Sequence, residues 1–227
     1  MTQIAPVPHP TAVKLQVLTA EHSSLVASRN LAWSETFSRA SMYISTLSGA
    51  IFALGLVAGI DHFGDVFVAF SLVVLPLVLF VGISTFVRMG AANYHDATAV
   101  VGMNRIRGAY VELMPELERY LVTSAHDDRM GVAVTMALPP GGSTLVHVIS
   151  ATPFVVNVLN AAVAGAIAAI GAGGVLGLGT ALVIGVAVLA FVLALLFQLR
   201  LVASNMRRGQ LSVRAVFPGP PATPSQP

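Results

Sequence analysis

"ASMYISTLSGAIFALGLVAGI" (Ala40–Ile60), held between Arg39 and Asp61, is the stretch on which the fold turns. Its 21 residues carry no acidic or basic side chain. Wound as an α-helix at about 1.5 Å per residue they reach about 31 Å, enough for the ~30 Å hydrocarbon core of a bilayer. The apolar residues are massed in a run and not set out as one stripe of a soluble helix. The stretch reads as a membrane crossing.

A second run follows at once, "VFVAFSLVVLPLVLFVGISTFV" (Val66–Val87), 22 uncharged residues between Asp65 and Arg88. Pro76 lies in its middle. Neighbouring helices can re-satisfy the carbonyl that a proline frees, so a kink is expected and not a break. Between the runs stands "DHFGD" (Asp61–Asp65), whose two carboxylates and imidazole could hold a metal ion or act as an acid/base pair. The position favours a polar hairpin tip, with Gly64 supplying turn freedom and aspartate a good turn residue. So short a link makes the two crossings antiparallel neighbours.

From Met130 to Leu199 His147 is the one titratable side chain. The glycine-rich "GAGGVLGLG" (Gly171–Gly179) divides this run, predicting crossings within Thr152–Ile170 and Thr180–Leu199. "PPGG" (Pro139–Gly142) breaks any helix upstream. Overall composition agrees. Charged residues make up 10% and hydrophobic ones 56%, against about 25% and about 45–50% in soluble domains.

All 12 basic residues fall in three segments. Lys14, Arg29 and Arg39 precede the first crossing. Arg88, Arg105, Arg107, Arg119 and Arg129 lie between the second and third, and Arg200, Arg207, Arg208 and Arg214 follow the fourth. With four crossings these segments share one side, which the positive-inside rule makes cytoplasmic. The net charge of +2, with arginines dispersed, argues against a nucleic-acid partner. The absence of cysteine excludes disulfides and thiolate metal sites. Charges at Lys14, Glu21, Arg29, Glu35 and Arg39 interrupt the first 40 residues, so no cleaved signal peptide is expected.

The expected fold class is all-α: a four-helix transmembrane protein of two helical hairpins with cytoplasmic antiparallel helical arms. Residues 1–14 read as a disordered tail and 15–129 as the first hairpin (about 40–60 and 66–88) with its arms. Residues 130–151 read as a linker, 152–200 as the second hairpin (about 152–170 and 180–199), and 201–227 as a basic then Pro-rich tail. Leu15–Ala40 is amphipathic, with Leu18, His22, Leu25, Trp33 and Phe37 on one face. Arg29 lies on that apolar face, which asks for a partner, and Trp33 could anchor at a lipid interface. Met89–Met114 carries two apolar strips, the second needing a cover from 116–138 or from another copy. Pro115 marks a break and a short new turn, "PELERYL". If the arms run antiparallel in register, Arg29 meets Asp96, Glu21 meets Arg105 and Lys14 meets Glu112. The alternative is solvated charges on splayed arms.

Among the remaining polar features, "AHDDR" (Ala125–Arg129) reads as a solvated loop, His147 as interfacial packing, and "PGPPATPSQP" (218–227) as a disordered tail. Asn157 and Asn160 share a narrow face with Ala161, Ala164, Gly165 and Ala168; Ser41, Ser45 and Gly49 have a similar spacing. Such faces let helices approach and hydrogen-bond, and could otherwise line a solute path. The crossings contain no Asp, Glu, Lys or Arg, which excludes a charged proton relay or voltage sensor. Phosphate-binding glycine motifs, HExxH and GxSxG are absent. No catalytic residue, metal site or cofactor is expected.

"FSRASMYISTLSGAIFALGLVA" together with "FVRMGAANYHDATAVVGMNRIRGAYVELMPELERYLVTSAHDD" resembles an uncharacterised family of actinobacterial multi-pass membrane proteins, over roughly residues 15–130, chiefly through "MNRIR", "PELE" and "HDD". The layout of two crossings with long cytoplasmic helices is similar to SLATT-type modules, and the third and fourth crossings depart from it. The resemblance implies a bacterial plasma-membrane location, a pore-forming activity and no catalytic residue. A non-enzymatic, self-associating pore-forming or scaffolding module is therefore expected, its partners the lipid bilayer and further copies of itself. The alternative is a small transporter or accessory subunit for an uncharged or hydrophobic solute.

Overall fold

The structure, a computed structural model, describes residues 10–136, 152–210 and 214–220, with side chains in the last long helix described as far as Leu201. All secondary structure among these residues is helical. Helix α1 runs unbroken over Pro10–Asp61 and α2 over Asp65–Leu113. A 3₁₀ turn at Pro115–Tyr120 and a short helix α3 at Arg129–Thr135 follow. Helix α4 spans Thr152–Ile170, a π-turn Gly171–Val175 closes it, and α5 spans Thr180–Gln210. Four of these helices are long and apolar enough to cross a membrane. His147 and "PPGG" lie outside the described residues.

Several sequence expectations are corrected here. Residues 10–14 are helical, because Pro10 opens α1 where its fixed φ and missing N–H suit a first turn. Pro76, by contrast, does not break α2, as expected. The expected linker contains α3, and α5 continues past Leu199 to Gln210.

The turn between α1 and α2 is also built differently. His62 and Phe63 take the left-handed conformation, with φ of 51° and 63°, and Gly64 does not. Gly64 is needed for closeness: a Cβ there would lie 3.0 Å from both the Asp61 carbonyl and its Oδ2. The Asp61 carboxylate is spent on the turn, accepting the Phe67 N–H at 2.8 Å. Edge-on packing of Phe63 against Phe67 supports the strained pair.

The chain divides into two compact units, 1–33 with 94–142 and 213–227, and 34–93 with 143–212. In the second unit α1 contributes Ala40, Tyr43, Leu47 and Ala50 to the core, spaced three and four apart so that they share one face. Leu75, Val78, Phe86 and Met89 of α2 and Val156 and Val163 of α4 complete it. The large residues Phe52, Leu56, Phe80, Ile184 and Leu193 face outward. Apolar outer faces are what a lipid solvent permits and water penalises. Helices α4 and α5 come close at Gly165, where a Cβ would sit 3.0 Å from the Ala187 carbonyl.

In the first unit α1 and α2 lie antiparallel. Thr19 Oγ1 is 3.4 Å from the Tyr110 hydroxyl, and Leu25 packs on Gly102. The buried side of α2 here is Ala99, Val100, Met103 and Ile106. Segments 124–135 and 216–219 reach this part of α2 at Asn104 and Gly108.

Candidate functional site

Two polar clusters stand out, one in each unit. In the apolar unit, Asn157 and Asn160 follow one turn apart on α4 and are both 0% exposed. Asn160 Nδ2 donates to Gln198 Oε1 of α5 at 2.9 Å, and Gln198 Nε2 donates to the Ala194 carbonyl at 3.3 Å. Asn157 Nδ2 reaches the Leu195 carbonyl at 3.5 Å, at the long limit of a hydrogen bond. On the other side of Asn160 the backbone of α2 comes so near that a Cβ at Gly82 would overlap Asn160 Oδ1 and lie 2.7 Å from the Tyr43 ring. Tyr43, Gly82, Asn160 and Gln198 thus bring all four long helices to one point. The Tyr43 hydroxyl, Asn157 Oδ1 and Asn160 Oδ1 are buried without a hydrogen-bond partner among the described residues.

The asparagine pair is the part of this cluster that sequence reading singles out. Tyr43, Gly82 and Gln198 it misses, although Gln198 is an amide one residue from the edge of an otherwise apolar run. The Ser41, Ser45 and Gly49 face does not take part. All three are exposed, and nothing lies within 4 Å of a Cβ at Gly49. The contact face of α1 is the one bearing Tyr43, because its larger side chains bury more surface than the serines would.

In the charged unit, Arg29 Nε donates to Asp96 Oδ1 at 2.6 Å and its Nη2 to Oδ2 at 3.4 Å. The Trp33 indole N–H donates to the same Oδ1 at 3.2 Å. Glu21 and Arg105 do not pair, nor do Lys14 and Glu112. Glu21, Lys14 and Glu112 are exposed, where an ion pair gains little over water. Within the other unit Glu35 receives Arg88 Nη2 at 2.8 Å and Arg39 Nε at 2.9 Å. Those arginines, Arg88 first, hold the Glu35 carboxyl below its usual range.

Arg105 is drawn elsewhere, into the structure that replaces the expected solvated loop. Asp127 is only 4% exposed. Its carboxylate accepts Arg105 Nε at 2.8 Å, the Val216 N–H at 3.0 Å and the Phe217 N–H at 2.8 Å. Asp127 returns a bond, its own N–H donating to the Phe217 carbonyl at 3.1 Å. Burial pushes the Asp127 carboxyl up, but the Val216, Arg105 and Phe217 donors together hold it below its ordinary range. Asp128 caps α3 by accepting the Gly131 N–H at 2.8 Å, and its other oxygen accepts the Gly219 N–H at 2.8 Å. Those bonds, Gly131 first, lower its pKa as well.

The platform beneath is equally specific. Asn104, fully buried, donates to the His126 carbonyl at 2.8 Å and accepts Arg107 Nη1 at 2.8 Å and Thr135 Oγ1 at 2.9 Å. The Phe217 ring lies over Gly108, where a Cβ would come within 2.7 Å of it. Arg105 Nη2 holds the Arg214 carbonyl at 3.0 Å. Residues 214–220, expected to belong to a basic then Pro-rich tail that is disordered from Pro218 onward, are therefore seated by hydrogen bonds on both flanks of an aromatic anchor. Among the described residues no three His, Asp or Glu side chains gather at metal-ligand spacing.

Comparison of the chain with protein-family models, with curated proteins and with solved structures returns no match in any of the three. The chain is thus described by its own geometry: an all-helical protein with four candidate membrane helices, a buried amide cluster and a carboxylate-bound tail.

Proposed function

We propose that this chain is a non-enzymatic, self-associating scaffold of a bacterial plasma membrane, its four crossings arranged as two hairpins with both termini in the cytoplasm. The orientation is supported by the confinement of all 12 basic residues to the three segments outside the hairpin tips. The layout shared with SLATT-type modules supports a membrane module with cytoplasmic helices.

The observation that carries the scaffolding reading is that Asn157 and Asn160 are 0% exposed and bonded to α5 of the same chain. They serve packing inside one protomer and leave the lipid-facing surface without amides to line a shared pore. Self-association is supported from the other unit, where Leu31 is 71%, Tyr120 65% and Val122 97% exposed. Apolar side chains left to water outside a lipid belt favour a protein partner. The uncovered Ser41, Ser45 and Gly49 face offers a second surface on which copies can approach. Cross-linking of a Val122→Cys chain in native membranes is the test: since each copy then carries one thiol, a covalent dimer is expected, and a strictly monomeric protein refutes the proposal.

A second reading, a small transporter or accessory subunit for an uncharged solute, is favoured by one observation. The Tyr43 hydroxyl, Asn157 Oδ1 and Asn160 Oδ1, on adjoining helices, have no hydrogen-bond partner among the described residues. Flux or conductance in reconstituted bilayers that disappears on Asn157→Leu plus Asn160→Leu would choose it over the scaffold.

A further inference from the structure

The seat of residues 214–220 has the features of a peptide-recognition site. The receptor side is built from consecutive positions of α2, Asn104 to Gly108, and from the segment Ser124–Gly131. It reads main chain more than side chain. Asp127 takes two successive N–H groups and returns one to a carbonyl, Asp128 takes the Gly219 N–H, and Arg105 takes the Arg214 carbonyl. Selectivity comes from Phe217, whose ring occupies the space left free by the missing side chain of Gly108. The Asp127 side chain is itself 0% exposed. A buried carboxylate that loses its donors is costly. Simple opening of the groove is therefore disfavoured, whereas exchange for an occupant offering the same donors keeps every bond.

We propose that this groove is an intermolecular site: in the assembled protein it takes the 214–220 segment of a second copy in exchange for its own. The occupant follows from the structure, since this segment is the one peptide whose fit is established, and every further copy carries it. Exchange of an identical element is a low-cost route to association because both arrangements make the same contacts. The inference rests on the self-association proposed above and assigns it a locus.

The native chain has no cysteine, so every thiol in the test is one placed by substitution. Gly108→Cys and Phe217→Cys are introduced on separate, differently tagged copies and co-expressed. A thiol at position 217 would fall where the Phe217 ring now approaches Gly108. The expected result is a mixed disulfide dimer joining the two tags in membranes under mild oxidation. If the doubly substituted chain closes only within itself, and the mixed copies stay unlinked while the Val122→Cys cross-links still form, exchange is overturned and the scaffold survives. If the Val122→Cys cross-links are also absent, both fall. Should the cysteine variants misfold, Phe217→Ala and Val216→Pro alter only the occupant. Each is expected to raise the concentration at which oligomers dissociate about tenfold, and an unchanged value overturns the inference.

Discussion

Arg29 and Asp96, 67 positions apart in sequence, meet at 2.6 Å on the inner faces of α1 and α2, with Trp33 donating to the same carboxylate oxygen. The pair is asymmetric: the Asp96 side chain is 5% exposed and that of Arg29 28%. Removing the acid leaves a half-buried guanidinium without its counter-charge. Asp96→Ala is expected to cost about 2 kcal/mol, below the figure for fully buried pairs because Arg29 retains some water. Denaturant unfolding in detergent measures it, and Trp33 emission should shift as the indole loses its acceptor. Arg29→Met combined with Asp96→Leu should recover most of the loss.

Gly82 marks the crossing point of the amide cluster. Gly82→Ala places a methyl on Asn160 Oδ1 and against the Tyr43 ring, so something must move. Overpacking of this kind costs about 1–3 kcal/mol. The thermal midpoint should fall, and Asn160→Ala in the same chain should restore part of it. A Gly82→Ala chain as stable as the parent would show that α2 can withdraw from α4.

Acid should loosen the charged unit in two separate windows. Burial, and then the charge of Arg107, hold His22 below its ordinary value of 6.5. A base with a lowered folded pKa contributes stability that is full above 6.5 and declines as pH falls toward the folded value. His22→Leu should abolish this limb, and it also removes a buried Nδ1 that has no partner among the described residues.

The lower window belongs to the clasp. The folded pKa of Asp127 is below its ordinary 3.8, so its contribution is present above 3.8 and is lost only as pH falls through the lowered value. A fluorine label on Phe217, followed by NMR, should report a seated ring from neutrality down to that range and a released one beneath it. Release at a pH well above 3.8 would contradict the donor set described for Asp127.

Asp128 provides a check on the same region by a different bond. Asp128→Ala removes the cap of α3 and the tie to Gly219 together. Loss of a cap costs about 1 kcal/mol, and the second bond should add to it. Asp128→Asn, which keeps an acceptor, should lose less. Hydrogen exchange at the Gly131 and Gly219 amides distinguishes the two contributions.

The helices were legible because their signal is coarse. Uncharged runs of this length leave few physical options, and Ala40–Ile60, Val66–Val87, Thr152–Ile170 and Thr180–Leu199 all lie inside the long apolar helices. Arg29 was legible too, since a guanidinium on an apolar face demands a counter-charge. The clasp was not. "HDD" reads as solvated by composition, and its donors are backbone N–H groups 89 and 90 positions away, which leave no trace in side-chain chemistry. Residue preference likewise favoured Gly64 for the strained turn angles, whereas they fall on His62 and Phe63, where the Phe63 ring packs on Phe67.

The same remoteness has a consequence for biogenesis. Asp127 leaves the ribosome well before Val216 and Phe217, and α4 and α5 are synthesised in the interval. Until those helices have been made, the carboxylate waits with Arg105 alone. Closure over Gly108 therefore reports that translation has passed the fourth apolar segment, and a prematurely terminated chain would leave the Asp127 carboxylate without its two backbone donors.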